Sequence, residues 1–350
     1  MQSRISLFPA WIILALLVAC TPEAFGETTL HVAPDGAETG DGTQDRPFAT
    51  LEAARDAVRN LERTGKQPIT VIVHGGTYYF ARPLVFTADD SGTAEAPVTY
   101  RAAEGEEVIL SGGRRLELKW TPYKDGIFQA EVKESKPEFD QLFVDGHLQR
   151  MARYPNFDPA VKPYGGTAAD AIAPERARRW ANPVGGFVHG LHSHAWGGFH
   201  FRITGVDAKG NVQMEGGTQN NRRMGLHRQH RFVENIFEEL DAPGEWYLDR
   251  KKGMLFFMPP AGVDLAKARV EVAGIRHLVE FRGRPDKPVR FLSLRGFRLT
   301  HTARTFMLVD EPLLRSDWCI YRGGAVLLEG AEDCAVADCF FDAVGGNAVF

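Results

Sequence analysis

Residues 69–110 read ITVIVHGGTYYFARPLVFTADDSGTAEAPVTYRAAEGEEVIL. Four short apolar runs occur there, at 69–73, 83–86, 98–100 and 108–110, rich in β-branched and aromatic residues and separated by turns built on Gly and Pro. Leu84-Val85-Phe86 returns as Val108-Ile109-Leu110 after 24 residues, and much later Ala325-Val326-Leu327 returns as Ala348-Val349-Phe350 after 23. A unit of that size is one turn of a triangular β-coil, which cannot bury its apolar face alone and must stack on its neighbours. The expected fold class is all-β, a solenoid of parallel coils.

An open solenoid end exposes backbone groups and apolar side chains, so it needs a cover. Upstream of the first coil, Thr50 can cap a helix over 51–61 in which Leu51, Ala54, Ala57, Val58 and Leu61 share one face, with Gly65 just beyond. This is the expected N-terminal capping helix. The coil pattern lapses over 116–274, where Trp, His, Asn, Arg and Glu accumulate, and this stretch is expected to form a β-rich insertion subdomain. Coils resume over 275–350 and stop at Phe350 with no cap following, which predicts further coils beyond it.

The chain has 350 residues, 44% of them hydrophobic, enough for a large core. A net charge of −4 gives no basic footprint for a phosphate backbone, so nucleic acid is not an expected partner. Residues 1–26 read as an export leader: Arg4 precedes an apolar run over 7–19 that is too short for a mature membrane span. Leu17-Val18-Ala19-Cys20 has the form of a lipidation site with Cys20 as the modified residue, and the rival is ordinary cleavage after Gly26. The expected location is therefore the outer membrane or cell surface through a lipid anchor, or alternatively the periplasm or medium. Cys319, Cys334 and Cys339 form an odd, uneven set that implies no disulfide framework, and the last two read as small core residues.

Two stretches of 116–274 carry the candidate chemistry. The first, 189–200, holds His189, His192, His194 and His200 around Trp196. On a strand His192 and His194 share a face that His189 does not, so no metal site is expected. Trp196, followed by two glycines, suits presentation of an aromatic face to a sugar ring with His189 and His192 hydrogen-bonding hydroxyls; packing at the seam of the insertion is the competing reading. The second, 220–249, contributes Asn221, Arg222, Asn235 and Trp246 as further sugar-binding candidates. Its Glu238, Glu239 and Asp241 are candidates for acid and base roles in glycosidic cleavage, set against the reading of a charged turn with local hydrogen bonds. Arg304, Asp317-Trp318 and Tyr321-Arg322-Gly323-Gly324 lie near the resumed coils, the last two in a loop placed for substrate contacts. With carboxylates but no dense Asp cluster, a calcium site is possible rather than indicated, and no other cofactor is expected.

The segment from Val32-Ala33-Pro34-Asp35-Gly36 through Arg46-Pro47-Phe48-Ala49-Thr50-Leu51, continued by His74-Gly75-Gly76-Thr77-Tyr78-Tyr79, resembles the start of pectate-lyase-like carbohydrate-active proteins. The phrase from Val233-Glu234-Asn235 to Trp246-Tyr247-Leu248-Asp249, the stretch 185–201 and the run from Leu299 to Asn347 resemble glycoside hydrolase family 141. The resemblance implies a right-handed parallel β-helix and a glycoside hydrolase acting on a complex plant-type polysaccharide. That family carries its catalytic acids on later coils, so the resemblance transfers no catalytic pair to these residues. A polysaccharide lyase and a non-catalytic surface protein for glycan binding or adhesion are the alternatives.

Overall fold

The computed structural model describes residues 26–37, 39–61, 67–134, 137–220, 224–312 and 318–350. The leader with Cys20, and the candidates Asn221 and Arg222, lie outside them.

Successive strands visit three parallel sheets in rotation. Ile69–Val73, Gly76–Tyr79 and Leu84–Thr87 begin one strand in each sheet, and Val98–Ala102 and Val108–Ser111 return to the first and second. The third sheet then waits until Val279–Arg282, after which Leu292–Arg295, Arg298–Thr300 and Val326–Glu329 complete another round, followed by Ala335–Ala337 and Phe340–Asp342. Parallel register stacks equivalent side chains inside: Val71, Tyr100 and Leu294 align in the first sheet, Tyr78, Leu110 and Leu299 in the second, Phe86 and Phe281 in the third. All are buried, and the Phe86 and Phe281 rings lie 5.6 Å apart.

The observed register corrects the first sequence repeat. Leu84 pairs with Val279 in the third sheet, whereas Val108 pairs with Gly76 in the second. Every face of such a coil uses the same alternating apolar triplet, and corner loops of unequal length destroy a constant period, so similar triplets need not be neighbours. The second repeat does pair, through the parallel bridge Val326 to Val349.

The helix Leu51–Asn60 closes the N-terminal end. Thr50 Oγ1 accepts the Ala53 N–H at 3.1 Å, and Leu51, Ala54 and Val58 are buried in the same core as the coils. The Arg59 guanidinium forks onto buried Asp90, Nε to Oδ1 at 2.8 Å and Nη2 to Oδ2 at 2.7 Å, which fastens the helix to the corner after Leu84–Thr87. Cys334 and Cys339 are half-buried rather than fully buried, packed against the core from the last coil, and their thiols are free.

Between Val108–Ser111 and Val279–Arg282 the chain builds two further sheets. An eight-stranded, largely antiparallel sheet includes His147–Met151, Glu245–Asp249 and Met254–Phe257, and a five-stranded antiparallel sheet runs Arg153–Tyr154, Leu226–Glu234, Phe187–His192, Gly198–Val206, Val212–Gly216. Stacked coils hold the same corner about 5 Å apart. The corner from which these sheets emerge therefore has its counterparts directly beside it, in the turn between Gly76–Tyr79 and Leu84–Thr87 and in the residues just after Arg298–Thr300. Both grip the emerging sheets: Tyr79 Oη donates to Glu271 Oε1 at 2.6 Å, and the His301 ring stacks on Phe143 with centroids 3.8 Å apart.

Candidate substrate-binding site

The loop that follows Arg298–Thr300 carries Arg304 beneath both inserted sheets. Its Nε donates to Asp140 Oδ2 at 2.9 Å and its Nη1 to Glu234 Oε1 at 2.6 Å, with the guanidinium 4.5 Å from the centre of the Phe306 ring. Glu234 ends the strand Leu226–Glu234 and also faces His189 Nε2 at 2.9 Å, from the neighbouring strand Phe187–His192. His189 in turn has its Nδ1 2.7 Å from Nδ1 of His200, its register partner on Gly198–Val206.

Burial alone would push the Glu234 carboxyl up, but Arg304 and His189 overcome it and hold the group well below the usual carboxylate range. Glu234 is therefore an anion. His200 is pushed down to about 3, first by burial and then by His189, so it is neutral near pH 7. The Nδ1 to Nδ1 contact between His189 and His200 needs one hydrogen between the two rings, and the His189 Nε2 contact with Glu234 needs another, so hydrogen bonds run in one line from His200 through His189 to Glu234.

Two clefts adjoin at Arg304 and Phe306. One, of about 530 Å³, is lined by Arg150, Phe157, Lys162, Tyr164, His189, His200 and Glu234 among others. Its outer wall, the segment 155–166, is held by Arg153, whose three nitrogens donate to the carbonyls of Pro155, Tyr164 and Gly166 at 2.9 to 3.0 Å. The Arg150 guanidinium lies 4.1 Å from the centre of the half-exposed Phe157 ring. The other cleft, of about 540 Å³, is lined by Glu138, Asp140, Arg202, Arg250, Arg276, His277 and Tyr321, with Phe187 and Ile275 beneath. Cations outnumber carboxylates on both sides, and two of the three carboxylates, Asp140 and Glu234, are already engaged by Arg304.

The sequence candidates separate sharply against this geometry. His189 lies in the first cleft. Trp196 is 61% exposed in the turn after Phe187–His192, with an open aromatic face, and Phe199 packs inside at 2%. His192 is a correction: it is fully buried because its ring folds back on its own turn, 3.0 and 3.1 Å from the backbone nitrogens of His194 and Trp196. Trp246 is a second correction, buried in the core of the eight-stranded sheet with Nε1 donating to the Gln149 carbonyl at 3.2 Å. Asn235 is a third; it is buried at a left-handed residue, φ 58°, and its Oδ1 accepts the Leu248 N–H. Glu238, Glu239 and Asp241 line neither cleft. Glu239 takes two bonds from Arg176 Nη1 and one from Trp180 Nε1, Glu238 caps the Ala181 N–H, and Asp241 accepts from Asn156. These are local clamps: the donors Asn156, Arg176, Trp180 and Ala181 all come from the helix and loops between Arg153–Tyr154 and Phe187–His192 and tie that segment to the turn at 237–241. Sequence reading missed Arg150, Lys162, Glu138, Asp140, His277 and the cleft role of Glu234. Scattered along the chain, they carry no local pattern.

No protein-family model matches the chain. Over 230 residues, 62% of this chain and 49% of the relative, it is 30% identical to Pectate lyase PEL9 of Emericella nidulans. The chain is pectate-lyase-like. A shorter stretch of 83 residues, 24% of the pectate-lyase-like chain and 15% of the relative, is 32% identical to the uncharacterized protein YwoF of Bacillus subtilis. Among solved structures, a glycoside hydrolase shares the fold at a TM-score of 0.73 and 22% identity, covering 92% of the pectate-lyase-like chain and 63% of its own. The chain thus spans about half the length of the pectate lyase it matches.

Proposed function

We propose that this protein is an exported polysaccharide-degrading enzyme that binds an anionic glycan across the two clefts flanking Arg304. The observation that carries the reading is the excess of guanidinium and ammonium groups there over three carboxylates, two of which Arg304 already pairs. Carboxylates on a uronate polymer match that field, and Arg suits them because its planar fork binds both oxygens. The half-exposed Phe157 in the first cleft and, outside both clefts, the exposed Trp196 offer ring faces for pyranose stacking. In this reading the three parallel sheets are the walls of a right-handed parallel β-helix, with units at 27–115, 116–274 and 275–350. A leader over 1–26 directs the protein out of the cell, and Cys20 tethers it by lipid.

Elimination is the cleavage chemistry that a cationic cleft favours, since neutralising a uronate carboxylate acidifies the adjacent C–H. The identity to a pectate lyase supports it. Hydrolysis, implied by the resemblance to glycoside hydrolase family 141, needs two carboxylates across one glycosidic bond. It is supported by Glu138 and Asp140, which line the second cleft together. The deciding experiment incubates the full chain with polygalacturonate, alginate, glucuronan and neutral xylan and follows reducing ends beside ultraviolet absorbance of unsaturated uronate. Elimination raises both signals together on a polyuronate; hydrolysis raises reducing ends alone. Faster cleavage of xylan than of every polyuronate overturns the anionic substrate, and tight binding without turnover overturns the enzyme in favour of a glycan-binding surface protein.

A further inference from the structure

The second cleft contains a chain of three groups that the sequence pattern did not bring together. His277 Nδ1 lies 2.6 Å from Glu280 Oε1, and His277 Nε2 lies 2.8 Å from the Tyr321 hydroxyl. Glu280 is anchored through its other oxygen to Arg282 Nε at 2.7 Å, and Arg282 also pairs with Glu329. The imidazole and the carboxylate are nearly enclosed, at 14% and 12% side-chain exposure, while His277 and Tyr321 both face the cleft beside Arg276. The arrangement leaves no room behind it. A side chain at Gly323 would put its Cβ 2.5 Å from His277 Nε2 and 2.6 Å from the Tyr321 ring, so glycine is what permits the pair to meet. The bond order follows from chemistry: ionised Glu280 takes the His277 Nδ1–H, Nε2 is then an acceptor, and Tyr321 donates to it. The phenol oxygen keeps its lone pairs for a ligand in the cleft.

We propose that Tyr321 is the catalytic acid and base of this enzyme, with His277 and Glu280 as its proton relay. The proposal rests on the elimination reading above. As the C–H next to the uronate carboxylate breaks, its proton goes to Tyr321 Oη while the Tyr321 proton passes to His277 Nε2. The substrate then carries a negative charge beside Arg276 and the imidazolium is held by Glu280. When the C–O bond to the leaving sugar breaks and the C=C bond forms, Tyr321 Oη gives a proton to the departing oxygen and recovers one from His277. No proton or electron is left over. Burial holds the phenol above its ordinary value, with Asp310 and Glu280 adding to it and Arg276 opposing, so Tyr321 waits as a neutral O–H and needs the relay to act as a base.

The test uses the full chain on the polyuronate it cleaves. Tyr321→Phe is expected to lower kcat by about 10²- to 10⁴-fold with KM within a few-fold of wild type and an unchanged melting temperature. Glu280→Gln is expected to lower kcat less and to move the acidic limb of kcat/KM to lower pH, since the imidazole loses its anionic partner; a merely structural carboxylate would leave that limb in place. If wild type releases unsaturated product and Tyr321→Phe retains its kcat, the relay is wrong and the functional reading stands. If wild type releases no unsaturated product from polygalacturonate, alginate or glucuronan, the elimination reading fails and the relay falls with it.

Discussion

Arg304 Nη1 donates to Glu234 Oε1 at 2.6 Å across 70 residues of chain, joining a corner loop of the stacked coils to the end of a strand in the five-stranded sheet. The same guanidinium reaches Asp140. One half-buried cation thus orders the floor between the two clefts. Replacing it leaves two carboxylates facing a poorly hydrated gap. Arg304→Met should cost about 3–5 kcal/mol by chemical denaturation, and should also abolish glycan binding because both cleft walls lose their shared support.

The pH dependence of that link has a definite sign. Glu234 has a folded-state value below its unfolded one, so its contribution is present above the ordinary carboxylate range and is lost as pH falls through the depressed value. Glu234→Gln should therefore be less stable than wild type at neutral pH, and the gap should close on strong acidification. Melting temperatures of both proteins across that range measure it.

Glu245 has the opposite sign. Burial, opposed by backbone N–H groups of Asp241 and Ala242, pushes it up to about 8. The folded state then favours the protonated form, and stability is lost as pH rises from 4.5 through about 8. Glu245→Gln keeps an acceptor for both N–H groups and removes the charge, so it should melt higher than wild type above that window and differ little below it.

Charge in the first cleft can be read by salt. Arg150→Ala should weaken binding of an oligogalacturonate about tenfold at low ionic strength, with the difference shrinking as salt screens the exposed part of the site. Calorimetry at two salt concentrations checks it, and no change at low salt would remove Arg150 from the binding face.

The two tryptophan candidates should behave as opposites. Trp246→Ala, in the core, should cost about 3–5 kcal/mol and disorder the eight-stranded sheet. Trp196→Ala should leave the melting temperature alone and, if the ring stacks on sugar, reduce affinity by about 1 kcal/mol. Melting curves beside glycan binding for both variants separate the roles.

Much of the scaffold was legible in the sequence. Alternating runs such as Leu84-Val85-Phe86, turns rich in Gly and Pro, and the Thr50-capped apolar stripe through Leu51, Ala54 and Val58 are local signals, set by side-chain periodicity and capping chemistry within a few residues. They determined parallel-coil strands, a capping helix and a polar interruption. Which triplets are neighbours was decided only in three dimensions, since Leu84 meets Val279 across the whole insertion.

The site was legible only in part. Histidines and tryptophans clustered in sequence drew attention to 189–200, yet of these His192 is buried in its own turn and Trp196 is open to solvent, a difference that composition does not carry. Arg150, Glu234, His277, Arg304 and Tyr321 each look ordinary in their local context. They face shared clefts because stacking holds the same corner of successive coils about 5 Å apart, and that proximity brings His301 and Arg304 against the insertion at Phe143, Asp140 and Glu234. Sequence alone determined the periodic, locally enforced parts of this protein; the tertiary structure decided the site, because burial and charge pairing depend on which distant residues the coils place side by side.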